Sequence, residues 1–482
     1  MKINIVCDDH PTRELPQSIR LQEPVLRLST DPRLGNVYFA PEAVEKALGA
    51  RLDPVSLDLC EIASYVYLAD KALPRGQYEK WTRNLSFLVP VREPARWRSV
   101  QSLLMNTIST LTDDNVEFHF VPKRKAEKRP KRPPRSEPES APSDCVSLFS
   151  GGLDSFAGAV HLIRQGRRPL FASHYVSVLK SLQGELKATL DVEFGQTFEH
   201  LQYRVTARTT KQTLFPIAAK ESSHRARSFL FMSFAAMAAA TRNLSEIFIC
   251  ENGVLSLNVP ISDARKGARS TRHAHPLYLR YFSELINGLY GRSFQVRNPF
   301  RFWTKGEEAR LLAESGLTST IRKTVSCWGY PNQTLRYKDS NHCGTCLPCI
   351  VRRVALIAAG LEAFDDRYIK DVFNLDQGAS DDDRRNIQDL VYFCQSFLHL
   401  SKTELLYRYP ELVMIEVGED DSRGDKLERI IWVYRRFAQE VLAISCERSP
   451  QLLRPGLATR PSIHLSAGAE PDSEFGSSVH CA

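Results

Sequence analysis

The sequence lacks an apolar run long enough to cross a membrane. Its longest such run, residues 229–240, has twelve residues, whereas a helix needs about 20 to span a bilayer. The N-terminal segment MKINIVCDDHPTRE carries charges where a secretory signal would have an apolar stretch. We therefore expect a cytoplasmic protein without a membrane anchor.

The sequence also has little excess charge outside one short segment. The formal net charge is +8, and residues 122–135, PKRKAEKRPKRPPR, contribute +7 of it. Four prolines within these fourteen residues exclude a helix or a central strand. We interpret 122–143 as a solvated basic linker that tethers two domains. The alternative is a basic arm that binds RNA or another polyanion.

The composition excludes a wholly disordered chain, because 43% of the residues are hydrophobic and 25% are charged. A length of 482 residues predicts two to four domains. The expected segments are an N-terminal accessory domain, the linker, a central domain, a helical C-terminal extension and a disordered tail. In that order they cover residues 1–121, 122–143, 144–360, 361–449 and 450–482.

Hydrophobic periodicity predicts a small α+β domain before the linker. Apolar residues recur with helical spacing over 55–70 and 97–111, and 84–91 and 115–122 have the pattern of strands. The adjacent Asp113 and Asp114 are interpreted as a solvated turn. Since no catalytic constellation is evident, we assign this domain to partner or substrate docking.

The sequence contains no G-x-x-x-x-G-K-[ST] motif, which excludes the P-loop NTPase type of phosphate site. A different glycine-rich turn directly follows a predicted strand at 145–149 and precedes a predicted helix. Backbone amides of such a turn, together with the helix N-terminus, attract phosphate. Asp154 can hold Mg²⁺ or cap the helix. The predicted phosphate-binding residues are Ser150, Gly151, Gly152, Leu153, Asp154 and Ser155.

Strands and helices alternate after this loop. The ranges 168–176, 200–207 and 246–253 are predicted strands, and 226–243 is a helix that is apolar nearly all round. This alternation predicts a parallel sheet covered on both faces. Ligands of such sheets bind beyond the carboxyl ends of the strands, where Glu251, Asn252 and Gly253 are expected to lie.

A cluster of cysteines predicts a structural metal site. Cys343, Cys346 and Cys349 are spaced as two overlapping C-x-x-C pairs, and Cys327 precedes them. Four thiolates complete the tetrahedral coordination of Zn²⁺ and leave no open position for catalysis. An Fe–S cluster is the chemical alternative. Gly344 would allow the tight turn. The adjacent His342 is interpreted as a surface histidine, and the alternative is that it replaces one cysteine as a ligand.

The loop resembles the pyrophosphate-binding loop of the PP-loop ATP pyrophosphatases, which cleave ATP between its α and β phosphates. Loop and cysteines together resemble the QueC-like 7-cyano-7-deazaguanine synthase family over about residues 144–358. Arg227-Ser228-Phe229 resembles its Arg-bearing helix start, and Thr304-Lys305-Gly306-Glu307 resembles its T-K-x-E motif. Asp263 and Arg265 correspond weakly to its substrate-reading segment.

The resemblance implies an α/β fold with a doubly wound PP-loop core and a zinc-binding four-cysteine element. It implies that a deazaguanine carboxylate is adenylated by ATP with Mg²⁺ and then attacked by ammonia or another amine. Asp154, Lys305 and Arg227 are the implied catalytic residues, and Zn²⁺ is structural.

Two long extensions distinguish the chain from standard family members. The enlarged architecture resembles QueC-like proteins of bacterial antiviral defence operons, such as the Qat system. We therefore expect an operon partner for the N-terminal domain, and a homo-oligomer or a complex. The alternatives are a tRNA-modifying PP-loop enzyme and a non-catalytic ATP-binding scaffold.

Overall fold

A computed structural model describes most of the chain, in two compact units. The first comprises the described residues of Met1–Ser150, Gly158–Cys250 and Lys266–Pro299, and the second those of Gly151–Ala157, Glu251–Arg265 and Phe300–Ala482. The described residues are 2–7, 25–31, 35–76, 81–123, 142–208, 217, 221, 223, 225–261, 272–330, 340–375, 379–417 and 423–453. Most of the predicted linker and of the predicted tail lies outside them, and the predicted domain boundaries stay a prediction.

Strands and helices alternate through the first unit and helices dominate the second. The strands are β1 Lys2–Cys7, β2 Val25–Leu28, β3 Val37–Tyr38, β4 Asn84–Val91, β5 Asn115–Pro122, β6 Cys145–Leu148, β7 Pro169–His174, β8 His200–Tyr203, β9 Thr206–Ala207, β10 Glu246–Phe248 and β11 Gln295–Arg297. The helices are α1 Pro41–Leu48, α2 Pro54–Ala72, α3 Pro94–Ser99, α4 Gln101–Thr112, α5 Leu153–Arg164, α6 Ser177–Glu193, α7 Arg227–Thr241, α8 Gly253–Leu257, α9 Pro276–Tyr290, α10 Lys305–Glu314, α11 Leu347–Ala358, α12 Asp381–His399, α13 Lys402–Arg408, α14 Glu411–Val417 and α15 Arg423–Arg448.

The N-terminal region forms a four-stranded sheet in the order β2-β1-β4-β5, with every pairing parallel. The predicted strands β4 and β5 are confirmed, and the alternating burial of β5 places Phe118 and Phe120 on its inner face. The predicted helix at 97–111 is divided into α3 and α4 at Val100, whose backbone is not helical. The parallel pairing requires each strand to be reached by a crossover, which α2 and α4 supply before β4 and β5.

A second parallel sheet has the order β11-β10-β6-β7-β8, which confirms the predicted parallel core. The chain first builds outward from β6 through β7 to β8, and then places β10 on the opposite side of β6. The direction in which successive strands are added to the sheet therefore reverses between β6 and β10. In open α/β sheets, ligands bind beyond the carboxyl ends of the strands at such a point.

The N-terminal sheet and the core sheet share one hydrophobic core within the first unit. Helix α2 packs against α7 and α4 packs against α9. Helix α7 is buried on nearly all sides, as its composition predicts. The N-terminal region is thus packed onto the core through two helix pairs.

The prediction of a solvated turn at Asp113 and Asp114 is wrong. The side chain of Asp114 is buried and accepts hydrogen bonds from Arg75 at 2.9 and 2.8 Å and from Arg83 at 3.1 and 2.6 Å. Asp113 ends α4 in the left-handed conformation, with φ of 59°, and pairs with Arg225 at 2.7 Å. Buried charges require such partners, and the arginines that provide them are distant in sequence.

The second unit has its own hydrophobic core, formed by α8, α11 and the C-terminal helices. The predicted helical C-terminal extension contains the long helices α12 and α15, which pack against each other. Ser380 begins α12 with a capping box completed by Asp383. Over the described part of the chain, no helix combines the length and the apolar character needed to cross a bilayer.

Candidate functional site

The glycine-rich loop after β6 turns sharply into α5. Gly151 has a φ of +91°, a conformation that residues with a Cβ rarely adopt. The hydroxyl of Ser155 donates to the carbonyl of Gly152 at 3.0 Å, and Leu153 is fully buried beneath the turn. The predicted strand, loop and helix are therefore present in the order that a phosphate site requires.

Asp154 lies at the centre of a polar cluster within the second unit. Its Oδ2 forms an ion pair with the ammonium of Lys305. Its Oδ1 accepts hydrogen bonds from the side-chain amide of Asn252 at 2.8 Å and from the Asn252 backbone N–H at 3.4 Å. The structure thus brings together three of the predicted site residues, one each from the regions following β6, β10 and β11.

Asp154 and Lys305 each stabilise the charged form of the other. Burial alone would raise the pKa of Asp154, but Lys305 and the hydrogen bonds hold it well below its usual range. Burial likewise opposes the charge of Lys305, yet Asp154 and the neighbouring glutamates raise its pKa. Both groups are therefore ionised at neutral pH. The result is a fixed ammonium directly beside the phosphate loop.

Glu308 is a fourth member of the cluster that the sequence motif did not indicate. Its side chain is fully buried, and within the described structure neither carboxyl oxygen has a hydrogen-bond donor. Burial first, and then the charge of Asp154, raise the pKa of Glu308 well above its usual value. Burial and the neighbouring carboxylate therefore both favour the neutral form of this carboxyl group.

The motif glutamate, Glu307, has a different role. Thr304 begins α10, and its side chain accepts from the backbone of Glu307 while Glu307 accepts from the backbone of Thr304. This capping box fixes the first turn of the helix that carries Lys305. The next position on this helix, Glu308, places its carboxyl group in the Asp154 cluster.

The C-terminal helix α15 contacts both segments that supply partners to Asp154. The Thr304 hydroxyl donates to Glu440 at 2.9 Å, and Arg436 pairs with Glu307 at 2.6 Å. The hydroxyl of Tyr434 accepts from the backbone N–H of Val259, just after α8, at 3.0 Å. Residues beyond 360 therefore help to hold the site in place.

The remaining predicted substrate residues differ in their surroundings. Glu251 accepts a 2.8 Å hydrogen bond from the side chain of Asn252. Gly253 donates to the Trp303 carbonyl at 2.7 Å, and a Cβ there would lie 2.4 Å from the Arg301 carbonyl oxygen, so only glycine fits. Asp263 and Arg265 lie outside the described residues, and their roles stay a prediction.

Ser150 and Arg227 belong to the first unit. The carbonyl of Ser150 accepts from Gln183 at 3.2 Å. Arg227 begins α7 with an exposed side chain whose guanidinium lies 5.7 Å from the ring centroid of Phe231. Its predicted role on the phosphates of ATP stays a prediction.

The four predicted metal ligands converge. The Sγ atoms of Cys327, Cys343, Cys346 and Cys349 all lie within 4.8 Å of one another. The Cys343 and Cys349 sulfurs are 3.8 Å apart, which matches the edge of about 3.8 Å expected for a tetrahedron with 2.3 Å Zn–S bonds and far exceeds the ~2.05 Å of a disulfide. The donor set fits one tetrahedral metal ion such as zinc.

Gly344 and His342 show how this metal cluster is built. Gly344 has a φ of +87°, and a Cβ at this position would lie 1.9 Å from the carbonyl oxygen of Lys370. The expectation of a surface His342 is wrong, because its ring is fully buried and its Nε2 accepts from the backbone N–H of Ser326 at 3.2 Å. It therefore supports the loop that carries Cys327.

Arg352, on α11 behind the cysteines, is fully buried. It donates to Asp365 at 2.9 Å and to the Ile321 carbonyl at 2.8 Å. Arg352 therefore joins α11 to the segment before Cys327.

These features define an α/β protein with a PP-loop type of phosphate loop and a four-cysteine metal element. Residues 144–360 match the family model described as queuosine biosynthesis protein QueC. The chain is similar to the 7-cyano-7-deazaguanine synthase of Rickettsia canadensis, with 29% identity over 151 residues, which are 30% of this chain and 54% of the relative. The chain therefore spans about half the length of that curated relative. Both comparisons support a QueC-like domain.

Proposed function

We propose that this protein is an ATP-dependent enzyme that adenylates a carboxylic acid, releases pyrophosphate and transfers the acyl group to ammonia or another amine. The observation that carries the proposal is the Asp154 cluster on the loop after β6. An ionised aspartate, a buried lysine and a buried glutamate meet at a glycine turn that opens a helix. The match to QueC and the similarity to a 7-cyano-7-deazaguanine synthase support the same chemistry.

The reaction requires positioning and charge stabilisation more than covalent catalysis. A carboxylate oxygen of the acid attacks the α-phosphorus of ATP while the bond to the β-phosphate oxygen breaks, so pyrophosphate leaves with its electron pair. The amine nitrogen then attacks the acyl carbon, AMP departs, and the nitrogen loses a proton. Fixed cations and backbone amides stabilise the charge that moves onto the leaving phosphates.

The described residues are suited to these steps. The loop amides at Gly151 and Gly152 and the start of α5 would bind the departing pyrophosphate. Lys305 supplies a fixed positive charge that costs no reorganisation during the reaction. Asp154 would also hold Mg²⁺ when the metal nucleotide is bound, and that ion would neutralise the phosphates.

The four cysteines would hold Zn²⁺ as a structural ion. A closed thiolate shell leaves no position for water. The ion would therefore stabilise the segment between residue 323 and α11 rather than activate a nucleophile. An Fe–S cluster uses the same ligands, and metal analysis separates the two.

The proposed acid is 7-carboxy-7-deazaguanine or a related deazaguanine carboxylate. Phosphorus NMR of a mixture of full-length protein, ATP, Mg²⁺ and this acid tests the proposal. We expect AMP and pyrophosphate in an acid-dependent reaction. Formation of ADP and phosphate, or AMP formation that is unaffected by the acid, would contradict it.

We further propose a role in antiviral defence, which the enlarged architecture supports. The acyl group would pass either to ammonia or to an amine of an operon partner. Intact-mass analysis of the protein and its operon neighbours after co-expression tests the acceptor. An adduct of deazaguanine size on a neighbour indicates conjugation, whereas a free amide product indicates small-molecule synthesis. Phage plating on cells with the wild-type operon and with an Asp154→Asn operon tests the defence role, which equal plating would contradict.

A further inference from the structure

The first unit contains a second cluster, at the carboxyl end of β7, that the Asp154 site does not include. The ring of His174, the last residue of β7, lies 5.9 Å from the ring of Tyr67 on α2 and 5.4 Å from that of Phe231 on α7. The imidazole Nε2 is 3.0 Å from the Val205 carbonyl oxygen. Three aromatic side chains from three elements therefore line one region.

Three cations lie over aromatic rings in this region, two of them over rings of the cluster and one over Tyr38. The Nζ of Lys71 is 5.5 Å from the Tyr67 centroid, the Arg227 guanidinium is 5.7 Å from the Phe231 centroid, and that of Arg204 is 5.6 Å from the Tyr38 centroid. Within the described structure, none of these three cations has an ion pair. They come from α2, from α7 and from the segment after β8.

Asp70 offsets the charge of Lys71 only in part. Partial burial first, and then the nearby Arg227, lower the pKa of Lys71. The adjacent Asp70 is already engaged by Arg83 at 2.6 Å and by the backbone N–H of Ala226 at 2.9 Å. Burial, with a smaller contribution from Arg227, Lys71 and Arg204, lowers the pKa of His174 to about 4, so it is neutral at pH 7. Unpaired cations held close together favour the binding of an anion.

Gln183 links the cluster to Ser150, which belongs to the same unit. The side-chain amide of Gln183 donates to the carbonyl of Ser150 at 3.2 Å and to that of His174 at 3.1 Å. One glutamine thus joins the residue that starts the loop to the residue at the centre of the aromatic cluster. Both lie at carboxyl ends of adjacent strands, where ligands of parallel sheets bind.

We propose that Lys71 and Arg227 bind the anionic group of a planar heteroaromatic ligand, whose ring lies beside the cluster of Tyr67, His174 and Phe231. The inference rests on the proposed function for the identity of that ligand, which is either the nucleotide or the carboxylic acid. Lys71 lies outside residues 144–360 that match QueC. The N-terminal region is then part of the ligand site and supplies one of its charges.

Calorimetric titration of full-length protein tests this site without relying on turnover. The probes are α,β-methylene-ATP with Mg²⁺, and 7-carboxy-7-deazaguanine. The variants are Lys71→Gln and Arg227→Gln, and the control is Lys46→Gln, an exposed lysine on α1. Thermal unfolding of each variant confirms that it is folded.

We expect each cluster variant to weaken one probe about tenfold or more, the value for a lost charge-assisted contact, while Lys46→Gln leaves both affinities within about twofold. Weakening of the nucleotide alone assigns the site to a phosphate, and weakening of the acid alone assigns it to the carboxylate. Because the two cations share one anion, the double variant should lose less affinity than the product of the two single losses.

Unchanged affinity for both probes in folded variants would overturn the proposal. If these variants lose affinity and the wild type makes no AMP, the adenylation reaction is refuted but the proposed binding site is retained.

Discussion

The hydroxyl of Thr304 donates a 2.9 Å hydrogen bond to the carboxylate of Glu440, which ties helix α15 to the residue that caps the Lys305 helix. Gly306, in the same turn, has no room for a side chain, since a Cβ would lie 2.6 Å from the Glu440 Oε1. A helix outside the QueC-like domain is therefore packed directly against the first turn of α10. The C-terminal extension is a structural component of the site.

Glu440→Gln should change how stability depends on pH. Burial raises the pKa of Glu440 from 4.5 to about 7. The folded protein therefore retains this proton more strongly than the unfolded chain, and ionisation destabilises the fold as pH rises from about 4.5 to 7, by about 3 kcal/mol in total. Glutamine still accepts from Thr304 but cannot ionise. We expect the wild type to lose stability relative to the variant over this range.

Urea unfolding between about pH 5 and pH 7.5 measures this difference. Glu428→Gln is the matched control, because Glu428 lies on the same helix with 71% of its side chain exposed. Parallel pH curves for the wild type and Glu440→Gln would contradict the assignment of the proton to Glu440.

Lys305→Met should be strongly destabilising and inactive. The substitution leaves the carboxylate of Asp154 without its cation, and breaking a buried ion pair from one side costs about 3 to 5 kcal/mol. The double variant Lys305→Met with Asp154→Asn should recover part of this stability, because no charge is left unpaired. Denaturant midpoints measure both effects, with exposed Lys402→Met as the control. Independent, additive losses for the two substitutions would rule out the coupling.

Cys349→Ser should remove the metal, and Cys394→Ser should not. Both cysteines are fully buried, so the pair separates metal ligation from loss of a packed thiol. Elemental analysis of purified protein should find one tetrahedral ion per chain in the wild type and in Cys394→Ser. Zinc without visible absorbance supports the zinc assignment, and iron with visible absorbance supports an Fe–S cluster. Equal metal content in the two variants would contradict the site.

Gly344→Ala should prevent metal loading, whereas Gly360→Ala should allow it. Both glycines have positive φ, +87° and +71°, so both substitutions introduce backbone strain of about 1 to 2 kcal/mol. Only at Gly344 would the added Cβ meet another backbone atom, the Lys370 carbonyl oxygen at 1.9 Å, while no atom lies within 4 Å at Gly360. Metal content and thermal unfolding distinguish the two. Full loading of Gly344→Ala would show that the turn can rearrange.

Local patterns in the sequence were sufficient for much of the fold and for the position of both candidate sites. Helical periodicity located α2 and α7, and the order of strand, glycine turn and helix located the glycine-rich loop. The C-x-x-C spacing located three cysteines that lie close together in a short stretch of chain. Each of these features depends on interactions between residues near one another in sequence.

Features that depend on distant residues were missed. The run LTDDN is typical of an exposed turn, but arginines about 30 to 40 residues away bury Asp114. The T-K-x-E motif indicates Glu307, whereas tertiary packing turns the adjacent Glu308 toward Asp154. The short strand β11 has only three residues and no clear alternation. Packing of α2 on α7 determines that Lys71 lies near Arg227, and no local pattern reports it.

Exchange of labelled pyrophosphate into ATP tests the central claim most directly, because it requires reversible formation of an acyl-adenylate. The comparison uses wild type, Asp154→Asn and the control Asp382→Asn, an exposed aspartate with 56% of its side chain accessible. We predict exchange that depends on the carboxylic acid in the wild type and in Asp382→Asn, and a reduction of about 100-fold or more in folded Asp154→Asn. Exchange of equal rate in all three proteins, or no exchange in the wild type with the acid present, would contradict the account.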